Sequence, residues 1–141
     1  MISNDLENIN SLPEILFRNT KYFPTKKILF KKIENSWSGR NYKEINRNVL
    51  KIAQSLTQKG IDKNDRIILI SSNRVEWVEI DLAIMTIGAV TVPTFDNNSV
   101  TDNIYIIKNC NPKLIIRENK KTLEINKKIL EFFPKKKIVL I

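Results

Sequence analysis

The sequence predicts an α/β fold: a partial, doubly wound parallel sheet with βαβ crossovers. Three observations carry this expectation. Asp65–Phe95 opens with the apolar run Ile67–Ile70, continues through a helical stretch to Gly88, and resumes with the apolar run Ala89–Val92 before Pro93. Strand, helix, strand is the grammar of one crossover between parallel strands. The runs are continuous rather than alternating, as in strands covered on both faces. The expected strand starts, Ile67, Val90, Leu114 and Ile138, also recur at intervals of 23, 24 and 24 residues. Each interval accommodates one helix, which implies successive right-handed crossovers. The units share no wording, so this is not an internal repeat.

The elements follow in order. Residues 1–10 are rich in Asn and Asp and are expected to be flexible. Ser11–Phe23 predicts a short helix. Ser11 and Glu14 form a capping box, Pro13 sits in the first turn, and Leu12, Ile15, Leu16 and Phe23 share a face. Lys27–Ile33 predicts a strand. Glu34–Arg40 is expected to turn, with Gly39 as its breaker and Trp37 packing a hairpin face. Asn41–Gly60 is the clearest helix: Asn41 caps it, Glu44 stands at N3, and Gly60 stops it. Ile45, Val49, Ile52, Ala53 and Leu56 form its core stripe. Asn64 lies where a sharp turn must precede the next strand. Within Asp65–Phe95, Asn73 is the expected cap. Thr94–Asn98 reads as a polar loop, and Ser99 caps a helix to about Asn109, with Ile104, Ile107 and Cys110 inward. Asn111-Pro112 is a turn and Leu114–Ile116 a strand. Lys120–Phe133 predicts a helix ended by Pro134, and Ile138–Ile141 a last strand.

Composition narrows the chemistry. The chain has 141 residues, no histidine and one cysteine. Ser-His-Asp triads, Cys-His pairs, His-ligated zinc, thiolate zinc and internal disulfides are therefore excluded within it. Cys110 reads as a buried structural thiol. No apolar run approaches a membrane span. The first ten residues lack the basic and apolar regions of a secretory signal, and a reducing cytoplasm is the expected compartment. The net charge of +9 accompanies 23 Ile, 18 Lys and 17 Asn. So broad a bias favours solvated surface lysines over nucleic-acid binding, and Lys135–Lys137 reads as a solvated loop.

In a parallel sheet, ligands bind beyond the carboxyl ends of the strands. Ser71, Ser72 and Asn73 stand there after one strand and Thr94–Asn98 after the next. Capping is the favoured role for Asn73 and Ser99, and more weakly the serines also read as structural. A phosphate loop needs clustered glycines, but Gly39, Gly60 and Gly88 lie far apart. Glu76, Glu79 and Asp81 share one helix without an evident acid/base partner.

Three phrases add a resemblance. Asn41-Tyr42-Lys43-Glu44-Ile45 resembles the first core motif of the adenylate-forming superfamily. Gly60-Ile61 with Asn64-Asp65-Arg66 is similar to its Leu-Gly-Val…Gly-Asp-Arg-Val phrase. Asn73–Trp77, Leu82-Ala83 and Gly88–Pro93 resemble its second core motif, in wording most like long-chain acyl-CoA synthetases. The resemblance covers roughly residues 12–141. Asn64 departs from the usual Gly, Thr94 from Leu or Ile, and Phe95 from Tyr.

The resemblance implies the start of the large N-terminal domain of an enzyme that activates a fatty acid with ATP and Mg²⁺ and transfers it to CoA. Residues 11–141 would then be an N-terminal portion of the nucleotide-binding domain, with the rest of the synthetase chain, including its C-terminal domain, absent. The superfamily's phosphate loop, adenine and Mg²⁺ motif, ribose-binding Asp and C-terminal Lys match no position here. Hence no catalytic, cofactor-binding or metal residue is assigned, and none of ATP, Mg²⁺ or CoA is expected to bind this stretch well. Peripheral contact with the inner membrane face is a further expectation, nucleic acid is not, and the alternative is a stand-alone non-catalytic or regulatory protein.

Overall fold

The structure is a computed structural model describing residues 9–95, 97–118 and 138–141. Helix α1 (Leu12–Tyr22) leads into the hairpin β1 (Lys27–Ile33) and β2 (Ser36–Asn41), followed by α2 (Tyr42–Gln58). Then come β3 (Arg66–Ile70), α3 (Val75–Thr86), β4 (Val90–Thr94), α4 (Val100–Cys110), β5 (Leu114–Arg117) and β6 (Ile138–Leu140). The last four strands form a parallel sheet in the order β4-β3-β5-β6, as the strand spacing predicts. The predicted helix Lys120–Phe133, Pro134 and the Lys135–Lys137 loop lie outside the described residues.

The sheet is covered on both faces. Ile67 and Leu69 of β3 and Leu114 and Ile116 of β5 pack on Leu56 of α2 and Ile80 and Ile84 of α3. Ile68, Ile70 and Ile115 point the other way, onto Ile107 of α4. Neighbours in a strand face opposite sides, so continuous apolar runs serve both layers. Helix α3 is itself sandwiched: Ala83 sits in a third cluster with Leu16 of α1 and Ile45, Val49 and Ala53 of α2. This explains why α3 is apolar nearly all round rather than striped.

Local signals act where they were read. Asn41 accepts from the Glu44 N–H at 2.9 Å, and the Glu44 carboxylate accepts from the Asn41 N–H at 2.8 Å. Asn41→Ala should therefore cost about 1 kcal/mol. Urea denaturation checks this, and an unchanged midpoint would refute it. Gly60 ends α2 at φ +76°, and Asn64 takes φ +68°, doing the work of the absent glycine. Ser99 accepts from the Asp102 N–H at 3.1 Å.

Several expectations are corrected. Ser11 caps nothing by its side chain; the Glu14 carboxylate instead accepts from the Asn10 N–H at 2.8 Å. On α1 only Pro13 and Leu16 are buried, while Leu12 and Phe23 lie exposed at its two ends. Gly39 is no breaker: it lies inside β2 opposite Phe30, whose ring occupies the space a Cβ would take. The turn is confined to Glu34-Asn35, with Glu34 at φ +51°, and Trp37 is exposed rather than packed. Finally, β4 runs through Pro93 to Thr94, so Thr94 is strand, not loop. As an edge strand among the described residues, β4 tolerates the missing N–H.

Candidate functional site

The carboxyl end of β3 is where a sheet of this kind offers its ligand groups. Ser71 and Ser72 follow the strand directly, and the structure brings Glu118 to them from the end of β5. One Glu118 carboxylate oxygen accepts from the Ser72 hydroxyl at 2.7 Å and from the Ser72 N–H at 3.1 Å. The Ser71 hydroxyl lies 3.3 Å from the same oxygen and 3.0 Å from the Ser72 carbonyl. The Glu118 N–H donates to the Ile70 carbonyl at 2.9 Å, which extends the β3–β5 ladder and aims the carboxylate inward.

Asn73 does not cap α3. The N-cap is Arg74, with extended backbone and no side-chain cap bond. Its guanidinium reaches both ways instead, to Glu118 at 3.4 Å and to Glu76 at 2.8 Å. Arg40 of β2 continues the chain of alternating charge. It contacts Glu76 at 3.0 Å and both carboxylate oxygens of Glu79 at 2.7 and 2.6 Å. Asn48 of α2 donates to Glu79 at 2.9 Å. One continuous relay, Glu118–Arg74–Glu76–Arg40–Glu79–Asn48, thus ties the sheet end to α3, the hairpin and α2.

The electrostatics follow from this pairing. Hydrogen bonding to Glu79 holds the Arg40 guanidinium above its usual value, against burial. Burial pushes the Glu76 carboxyl up, but the bond from Arg74 and the charges of Arg74 and Arg40 outweigh it and hold it low. Glu76 and Glu79 thus both serve as counter-ions to arginines, and Asp81 is in none of these pairs. At the opposite end of the sheet Lys113 contacts Asp65 at 2.6 Å and holds its carboxyl below the usual range. Burial pushes the Cys110 thiol up, which suits an inert side chain.

These residues do not fit ATP or Mg²⁺. The carboxylates at the sheet end are engaged by arginines, and no group of three His, Cys, Asp or Glu among the described residues could hold a metal. Gly39 is covered by Phe30, and Gly60 and Gly88 sit at helix ends, so no glycine cluster lets backbone approach a phosphate. Two grooves remain. One of about 490 Å³ runs between β1 and the start of α3, past Lys31, Lys32, Arg74 and Trp77. The other, about 330 Å³ and mostly apolar, lies between α2 and the sheet at Leu114, Ile116, Val139 and Ile141.

Residues 16–141 match the AMP-binding enzyme family. The chain is 25% identical over 109 residues to the long-chain-fatty-acid–CoA ligase FadD15 of Mycobacterium tuberculosis, covering 77% of this chain and 18% of that protein. It is 27% identical over 126 residues to the long-chain-fatty-acid–CoA ligase ACSBG2 of Rattus norvegicus, covering 89% and 18%. The chain thus spans about a fifth of the length of the curated relatives it matches. Its fold is similar to that of the anthranilate CoA ligase AuaEII, with a TM-score of 0.82 at 21% identity over 100% of this chain and 27% of that one. It is also similar to a fatty acid AMP ligase from Legionella pneumophila, with a TM-score of 0.78 at 17% identity over 100% and 24%. Motif order, sheet topology and the extent of the family match converge: the chain belongs to the AMP-binding enzyme family.

Proposed function

We propose that this chain is the N-terminal scaffold portion of an AMP-forming acyl-CoA synthetase whose substrate is a long-chain fatty acid. In the whole enzyme the carboxylate attacks the α-phosphorus of ATP, with Mg²⁺ bound, releasing pyrophosphate. The CoA thiol then displaces AMP from the acyl-adenylate to give the thioester. ATP, Mg²⁺ and CoA belong to that larger protein, and further polypeptide supplies its catalytic residues. The observation that carries this reading is the family match over residues 16–141 together with relatives named as long-chain-fatty-acid–CoA ligases. We place the enzyme in the cytoplasm, in peripheral contact with a membrane, where fatty acids partition. Among the described residues no helix is long and apolar enough to cross a membrane.

The purified chain should catalyse no carboxylate-dependent ATP–pyrophosphate exchange. Extending it through the reading frame that follows Ile141 should yield exchange that palmitate drives and benzoate does not. Exchange from the chain alone would overturn the scaffold reading, and benzoate preference would overturn the fatty-acid reading.

A further inference from the structure

The excess of positive charge is not spread evenly. Residues 21–40 carry six basic side chains and one acidic one, Glu34. One of the six, Arg40, is spent inside on Glu79 and Glu76; the remainder are lysines. The same span holds four exposed aromatic side chains, Tyr22, Phe23, Phe30 and Trp37.

The hairpin sorts these groups by face. Residues paired across strands share a face, and alternate residues along a strand return to it. Leu29 pairs with Arg40, so their face is the one turned to α3. Phe30 pairs with Gly39 and Lys32 with Trp37, which puts Phe30, Lys32 and Trp37 together on the outer face. Trp37 is 66% exposed and Phe30 53% exposed. Gly39 matters here: without a Cβ it lets the Phe30 ring lie flat on the strand, with the Lys27 side chain beside it. At the foot of the hairpin Lys26 stands 5.8 Å over the Phe23 ring and Lys21 5.8 Å over the Tyr22 ring.

We propose that the outer face of the β1–β2 hairpin, with Phe30 and Trp37 between Lys27 and Lys32, docks this protein on the surface of an anionic phospholipid bilayer. The Trp37 indole suits the headgroup level, the apolar Phe30 ring adds area to bury beside it, and each nearby lysine gains from the negative surface potential. A solvated lysine face would explain the charge but not two large rings exposed among the lysines. A nucleic-acid surface would need rings spaced for stacking along a groove; of these two rings only Phe30 lines one, and Trp37 does not. The proposal deepens the membrane contact given under the proposed function and rests on that contact; it does not depend on the synthetase chemistry.

Sedimentation of the full chain with phosphatidylserine/phosphatidylcholine vesicles, against phosphatidylcholine alone, tests it. Binding should require the anionic lipid and fall with added salt. Lys27→Gln with Lys32→Gln should weaken it about thirtyfold, and Trp37→Ala about tenfold. In a Trp77→Phe background, Trp37 emission should shift to the blue on vesicles. Circular dichroism identifies any variant that has lost its fold, and the emission shift needs no change at the hairpin. Equal binding by wild type and hairpin variants would overturn this surface while leaving membrane contact standing. No binding to anionic vesicles would overturn both. Tighter binding to a single-stranded oligonucleotide than to vesicles at equal ionic strength would overturn the lipid assignment.

Discussion

Glu79→Ala is expected to lower the unfolding free energy by about 3–5 kcal/mol, the range for breaking a buried ion pair by removing one partner. Glu79 is 2% exposed, and its two oxygens take three contacts from Arg40 and Asn48. Truncation leaves Arg40 with Glu76 alone and strands the Asn48 amide. The Arg40 side chain is 35% exposed, so water softens the loss and the lower end of the range applies. Replacing the pair as Arg40→Met with Glu79→Leu should cost far less, since the desolvation penalty leaves with the charges. Equilibrium urea denaturation reads both. A loss below about 1 kcal/mol for Glu79→Ala would show that the pair contributes little.

Ile115→Ala should cost about 2–5 kcal/mol, a large share of the 5–15 kcal/mol that holds a typical domain together. Ile115 is fully buried in β5, between Ile68 of β3 and Ile138 of β6, and packs toward Ile107 of α4. The cavity would open in the middle of the sheet, where neighbouring strands cannot close in without breaking their ladders. Ile115→Val should cost only about 0.5–1.5 kcal/mol. Leu140 on β6 provides the contrast: it is exposed, and its truncation should fall within about 0.5 kcal/mol. Thermal unfolding monitored at 222 nm ranks the three, and an Ile115→Ala loss no larger than that of Leu140→Ala would refute the packing account.

What could be read from the chain alone is what acts over a few residues. The Asn41–Glu44 box and the Ser99 cap depend on partners three positions away, and the left-handed turns at Gly60 and Asn64 on the backbone tolerance of the residue itself. The parallel sheet was legible for a related reason, because strands covered on both faces must be apolar throughout. The relay was not legible. Arg40 meets Glu79 across 39 positions and Ser72 meets Glu118 across 46, so no local pattern announces either. Glu118 carried no signal beyond its place just after a strand. Asn73 and Ser11 resembled caps by residue type, but the backbone placed the helix start beside Arg74 in one case and gave the Glu14 carboxylate to Asn10 in the other. Gly39 was misread because glycine marks both a turn and a strand position where an aromatic ring must lie close.

The contact between Glu118 and the two serines has a consequence for anything approaching the sheet end. A phosphate arriving there would meet a carboxylate already holding the Ser72 hydroxyl and N–H. To take those donors it would have to evict Glu118, whose other oxygen is tethered to Arg74. The doorway of this sheet is bolted from inside by its own acid.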